Sequence, residues 1–194
     1  MKSSAALDIP AVALRTLTDD SEEALAFRPG LMANIMRRYR MNIALADALT
    51  GLLNRQAFMS MGRERLQTAR NCALFYIDLD KFKPVNDTYG HEAGDAALRE
   101  AASRLKKAVP ATALVARLGG DEFCVLTKGS VNTAATAEKI KKALAKPLKL
   151  PNAPEAVKIG ASVGFARYSE DGNNLDELPV FADKNMYHAK ADSR

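Results

Sequence analysis

Three acidic residues, Asp78, Asp121 and Glu122, stand where apolar runs of the sequence stop. Asp78 closes the run CALFYI that begins at Cys72, and Asp121 and Glu122 lie between ALVARL and FCVLT. If the strands carrying them are neighbours, three carboxylates converge at one edge of a sheet. Such a cluster repels itself without a cation, and hard oxygen ligands suit Mg²⁺ bridging to phosphates. Gly119 and Gly120, just ahead of the two acids, admit positive φ and bring bare backbone N–H groups close to an anion. The plainer alternative stands beside this one: hairpin tips are polar in any case, and Gly-Gly is a common turn.

The elements that must position these residues follow from hydrophobic period. From Leu31 to about Ala48, apolar residues recur near one face, which predicts a helix leading into the rest of the chain. A helix over Gln56 to Arg70 is followed by the strand that ends at Asp78, whose side chains have no polar face, as in a central strand. Leu98, Ala101, Ala102, Leu105 and Val109 predict a helix from about Ala93 to Val109. The two runs around Gly119-Gly120-Asp121-Glu122 predict a β-hairpin. A helix from about Ala134 to Leu144, a strand VKIGASVGFA and a last helix from Pro179 to about Ala191 complete the series, with Pro179 tolerable as a first-turn residue. Strands alternating with helices, plus a hairpin, indicate a layered α/β or α+β domain with a mixed sheet.

The length, 194 residues, suits one domain or one domain with a short extra segment, and 47% hydrophobic with 26% charged residues is close to the globular average, which favours neither a disordered nor a collagenous or membrane class. The net charge of +5 fits an anionic substrate, but the lysines and arginines look scattered, which argues against duplex nucleic acid as a partner. Cys72 and Cys124 lie in apolar runs and read as reduced core residues. The start lacks the apolar stretch of a signal peptide and no run approaches the roughly 18 residues of a membrane span, so a cytoplasmic setting without membrane insertion is expected.

Arg117-Leu118-Gly119-Gly120-Asp121-Glu122-Phe123 is a literal GGDEF string, and the chain around it resembles the GGDEF diguanylate cyclase family. Asp47-Ala48-Leu49-Thr50-Gly51-Leu52-Leu53-Asn54-Arg55 matches the family's opening motif. The segment from Asp78 through Lys81, Lys83 and Asn86 to Asp87 follows, then Gly90-His91, Gly94-Asp95, Ser162-Val163-Gly164, Asp171-Gly172, Ala182-Asp183 and Ala189-Lys190, with Arg194 at the end. The match implies a GGDEF catalytic domain over residues 46–194, preceded by a segment, 1–45, holding a short linker or dimerisation helix. It also implies an α+β, palm-like sandwich: a central mixed or antiparallel sheet, helices around it, and a hairpin bearing the signature.

The resemblance further implies condensation of two GTP into cyclic di-GMP by a homodimer, each subunit holding one nucleotide with two Mg²⁺, with Mn²⁺ as a substitute. Asp78, the Leu79 carbonyl, Asp121 and Glu122 match the metal-holding positions, and Asp121 with Glu122 the catalytic ones. Lys83, Lys190 and Arg194 match phosphate-binding cations, Asn86 and Asp95 the pair that reads the guanine edge, and His91 a substrate contact; Gly119 and Gly120 lie against the nucleotide. Judged without the family, Asn86 and Asp95 read more readily as a loop turn and a helix N-cap than as a ligand-reading pair, and the lysines as solvated side chains. Asp80 is as well suited to a structural hydrogen bond as to the metal shell. A catalytically silent domain that binds GTP and signals through contacts is the alternative function, and a palm-fold cyclase using another nucleotide a third. Two departures matter. Many members carry an inhibitory RxxD motif where this chain has Pro110-Ala111-Thr112-Ala113, so product inhibition through that site is not expected. Pro179 and Asn185 replace a usual leucine and alanine, which predicts a final helix that starts late or packs less tightly.

Overall fold

The computed structural model describes residues 45–69 and 71–191. The helix expected from Leu31 to about Ala48 lies outside the described residues as far as 44, as does Arg194; its expected end is not helical, since Ala46 bridges to Leu53 and residues 48–50 form a turn. Helix α1 (Arg55–Thr68) opens with Asn54, whose side chain accepts from the Ala57 N–H at 2.9 Å and so caps the first turn. Strand β1 (Cys72–Leu79) follows, then α2 (Phe82–Tyr89), α3 (His91–Ala108), β2 (Leu114–Gly119), β3 (Glu122–Lys128), α4 (Thr133–Leu144), β4 (Ala161–Arg167) and α5 (Leu178–Ala191).

The strands form one sheet in the order β2-β3-β1-β4, with all three pairings antiparallel. This places β1 inside the sheet, as its unbroken apolar run requires. Leu53 adds a parallel bridge to Ala116 at the outer edge of β2. Because side chains alternate along a strand, the two faces build two cores. Phe75, Ile77, Phe123 and Val125 join Phe82, Leu98, Leu105 and Ile140 on the side of α2, α3 and α4. Leu74, Cys124, Leu126 and Ala166 join Phe58, Leu66, Leu178 and Ala182 on the side of α1 and α5. The result is an α+β sandwich of three layers. Cys72 and Cys124 are buried and unpaired with each other, as the apolar runs around them predict.

Three expectations are corrected. Helix α2 occupies a segment read only as motif: Lys81, at φ 57°, turns the chain, and Pro84 sits in the first turn where its missing N–H costs nothing. The strand expected from Val157 starts only at Ala161, because Val157 bridges to Leu148 and the Gly160 carbonyl turns to accept the Asp80 N–H at 2.9 Å. The final helix begins at Leu178 with Pro179 in its first turn, and Asn185 Nδ2 donates to the Phe165 carbonyl at 3.0 Å, a tie from α5 to β4. At Gly164 a Cβ would fall 1.9 Å from the Ala182 carbonyl oxygen, so that glycine is what lets α5 lie directly on β4.

The positive charge is also less scattered than the composition suggests. Residues 99–108 and 133–149, on α3, α4 and the segment after it, hold nine of the chain's 28 Lys and Arg but only two of its 23 Asp and Glu. The surplus thus sits toward the far end of α3, about 20 Å along the helix from His91 at 1.5 Å per residue. It is not what would attract an anion to the carboxylate edge.

Candidate functional site

The carboxylate edge is set by register. Asp78, the penultimate residue of β1, pairs directly with Glu122, the first residue of β3. Directly opposed residues in an antiparallel pair have Cα atoms about 4.5–5.5 Å apart, and the Leu79 N–H reaches the Asp121 carbonyl at 3.3 Å. Asp78 and Glu122 therefore share one end of the sheet, with Asp121 next in the chain. All three are half-buried. On its other side Asp78 pairs with Ser162 of β4.

The turn that presents Asp121 depends on glycine. Gly119 and Gly120 adopt φ 153° and 51°, and the ladder slips between Arg117 and Gly119. Arg117 locks this turn: its Nε donates to the Gly120 carbonyl at 2.9 Å, and its Nη1 reaches both Asp47 oxygens at 3.3 Å. Asp47 Oδ1 also accepts from the Thr50 N–H at 2.9 Å and hydroxyl at 2.6 Å. Burial alone would raise the Asp47 carboxyl; the Thr50 bonds and Arg117 outweigh it and hold the group below its ordinary value. The stabilisation this lends is present above the carboxyl's unfolded range and is lost as pH falls through the lowered folded value. The two side chains are only 14% and 22% exposed. Arg117→Ala is therefore expected to cost about 1–3 kcal/mol, read as a lower urea midpoint at unchanged slope.

Glu122 has two further neighbours. The Tyr76 hydroxyl donates to Oε1 at 2.7 Å, and Arg55 Nη2 lies 3.7 Å from Oε2 while Arg55 Nε donates to the Leu118 carbonyl at 3.2 Å. Asp80 is engaged elsewhere: Ser162 Oγ donates to it at 2.6 Å, which supports the structural role weighed for it.

A second group forms where α2 meets α3. Gly90, at φ 87°, ends one helix and begins the other, so the two follow one another across a single residue. Asn86 lies within α2, and Asp95 is the fifth residue of α3. Neither is the loop turn or N-cap that their sequence alone allowed. Asn86 rests on Gly94, where an added Cβ would fall 1.9 Å from Asn86 Oδ1, and Asp95 stands 3.7 Å from Arg99 in a weak surface pair. His91 and Lys83 are exposed on α3 and α2. The backbone of Lys190 is helical within α5, but its side chain and the whole of Arg194 lie outside the described residues.

Among the described residues no three His, Cys, Asp or Glu side chains form a ready-made metal cage. The donors at the edge nonetheless suit Mg²⁺, which takes one or two carboxylates and completes its shell with water and substrate phosphates. Asp78 and Glu122, opposed in the ladder, supply two such carboxylates, with Asp121 and the Leu79 carbonyl beside them. Tyr76, Arg55, Asp47, Arg117 and Gly94 were given no role by the sequence, since each acts through a neighbour that only the pairing of strands or helices reveals.

The family model described as "Diguanylate cyclase, GGDEF domain" matches residues 44–194. The chain is 36% identical over 197 residues to the bifunctional diguanylate cyclase/cyclic di-GMP phosphodiesterase MucR of Pseudomonas aeruginosa, covering 97% of this chain and 28% of that protein. It thus spans little more than a quarter of that relative's length. Among solved structures, a sensory box/GGDEF family protein from Caulobacter crescentus is similar at 38% identity and a TM-score of 0.69, covering 76% of this chain and 99% of that one. The coiled coil and GGDEF domain of DgcB from the same organism, solved with c-di-GMP, is similar at 27% identity and a TM-score of 0.76, covering 89% and 95%.

Proposed function

The chain belongs to the GGDEF diguanylate cyclase family, and we propose that it condenses two GTP into cyclic di-GMP with release of two pyrophosphates. The observation that carries this reading is the terminal rung of the β1–β3 ladder, where Asp78 faces Glu122 beside the Gly119-Gly120 turn. Family membership establishes a diguanylate cyclase-like domain; turnover by this chain is our inference from that edge.

In this reading Asp78, the Leu79 carbonyl, Asp121 and Glu122 would hold Mg²⁺, with Mn²⁺ as a substitute. When bound, the cation supplies charge neutralisation at the α-phosphate and acidifies the attacking hydroxyl. Asp121 takes the proton of the ribose 3′-hydroxyl as its oxygen bonds to the α-phosphorus of the second GTP. The bond from that phosphorus to the bridging oxygen breaks, and pyrophosphate leaves toward Lys83, Lys190 and Arg194. Asn86 and Asp95 orient the guanine by its N–H and carbonyl edge, His91 contacts the substrate, and the N–H groups of Gly119 and Gly120 face phosphate oxygens. One such edge serves one nucleotide, so two chains must face each other for both bonds to form, and residues 1–45 would bring them together.

Incubating the protein with GTP or ATP and Mg²⁺ and resolving the products by chromatography tests the proposal. Cyclic di-GMP is the expected product; GTP bound but unchanged would mark a silent binding module, and a cyclic mononucleotide a different cyclase.

A second expectation concerns the product. Pro110, Ala111 and Ala113 line an apolar groove of about 480 Å³ with Leu52, Met61 and Lys106. No arginine–acid pair stands at positions 110–113 to grip a dinucleotide phosphate and guanine. Initial rates are expected to stay unchanged when micromolar cyclic di-GMP is added, and calorimetric binding lost on altering residues 110–113 would contradict this.

A further inference from the structure

The mechanism above uses the Glu122 carboxylate but not the two groups that hold it. Tyr76 and Asp78 are two residues apart on β1 and so leave the same face of the sheet. The register pairs Tyr76 with Cys124 and Asp78 with Glu122, which makes Tyr76 and Glu122 diagonal neighbours, a separation an aromatic side chain can span. The Tyr76 ring packs against the core on the α1 and α5 side, so the phenol is delivered from a fixed platform. A phenol carries its proton at neutral pH and a carboxylate only accepts, so the 2.7 Å contact is a Tyr76 hydroxyl donating to Glu122. Arg55 is different. It is 62% exposed and 3.7 Å from Glu122 Oε2, a contact of little strength that gives way easily.

We propose that Tyr76 is a positioning residue for the divalent cation: its hydroxyl occupies Glu122 Oε1 and fixes the carboxylate, leaving Oε2, held only by the long contact with Arg55, as the oxygen that would be offered to a cation. The proposal rests on the functional reading above. It differs from that reading in assigning a task to a side chain outside the carboxylate set. Hydrogen bonds to a ligating carboxylate fix its orientation, and their loss typically weakens metal binding by about 10- to 100-fold.

The test is Mn²⁺ binding by the full chain with a non-hydrolysable α,β-methylene analogue of GTP, read as loss of the free-Mn²⁺ paramagnetic signal. Wild type, Tyr76→Phe, Glu122→Gln and the double variant are compared, with thermal midpoints and metal-free nucleotide binding in chelator alongside. Tyr76→Phe removes one oxygen and keeps the ring. It is expected to weaken Mn²⁺ binding about tenfold or more, with the midpoint and metal-free binding unmoved. The double variant is expected to bind no more weakly than Glu122→Gln alone, since Tyr76 acts through that carboxylate. Equal Mn²⁺ affinity in wild type and Tyr76→Phe overturns the proposal while leaving the functional reading intact, as does a double variant additive in its losses. A wild type that takes up no Mn²⁺ with the analogue overturns both.

Discussion

Asp121→Ala is expected to lower cyclic di-GMP formation by about a thousandfold or more, combining loss of a general base with loss of a metal-holding carboxylate. The fold should be indifferent to the change. The turn around Asp121 is held by Gly119 and Gly120 at positive φ and by Arg117 on the Gly120 carbonyl. Asp121 itself contributes its backbone carbonyl to the Leu79 N–H, and alanine keeps that group. The thermal transition should therefore correspond to a stability within about 0.5 kcal/mol of wild type, as for surface substitutions away from special features. Asp121→Asn separates shape from charge, since it preserves the volume and removes the base. Steady-state product formation by chromatography, paired with a melting curve, checks both halves. Normal turnover in the alanine variant would remove Asp121 from the mechanism; a collapsed melting curve would show that the carboxylate holds the hairpin.

That separation is possible because the sequence marks Asp78, Asp121 and Glu122 by where apolar runs end, and the ladder then sets them side by side. Runs such as CALFYI and FCVLT are long enough and apolar enough to be strands without help from context, so their ends could be read directly. What could not be read was register. Nothing in the order of residues says that Tyr76 lies diagonal to Glu122, or that Arg117 crosses 70 positions to reach Asp47. Those contacts depend on which strand lies beside which and on a slip at Leu118, and a one-residue change of register would turn every such side chain to the other face. Helix α2 escaped for a different reason. Its eight residues are too few to show a helical period, and Lys81 in the left-handed region with Pro84 in the first turn reads as loop chemistry until α3 is there to pack against it. The clustering of lysines was invisible because α3 and α4 are separated in the chain by the whole hairpin.

Gly94→Ala puts the α2–α3 corner to a severer test than removing Asn86 or Asp95 outright, because it changes neither polar group. Within a helix, alanine is ordinarily favoured over glycine by about 1 kcal/mol. Here the added methyl would lie 1.9 Å from Asn86 Oδ1 and 3.3 Å from the Phe82 ring. The first contact cannot stand, but the atom in the way is the end of a rotatable side chain, so Asn86 swings aside and the backbone need not move. The helix-propensity gain and the repacking cost then nearly cancel, and stability is expected to change by less than about 1 kcal/mol. The effect falls instead on what Asn86 was positioned to do. In the proposed reading, displacing its amide removes one hydrogen bond to the guanine edge and leaves a polar group of the substrate unpaired. That is a loss of about 1–3 kcal/mol, or roughly 5- to 150-fold, in KM for GTP. Discrimination against ATP should fall with it, because the same bonds are what adenine fails to make. Measuring KM for GTP, with ATP as competitor, in wild type, Gly94→Ala and Asn86→Ala decides the matter. If the glycine variant keeps wild-type KM and wild-type discrimination while the asparagine variant loses them, Asn86 reaches the base from a rotamer that Gly94 does not protect. If both keep them, α2 does not read the nucleotide at all.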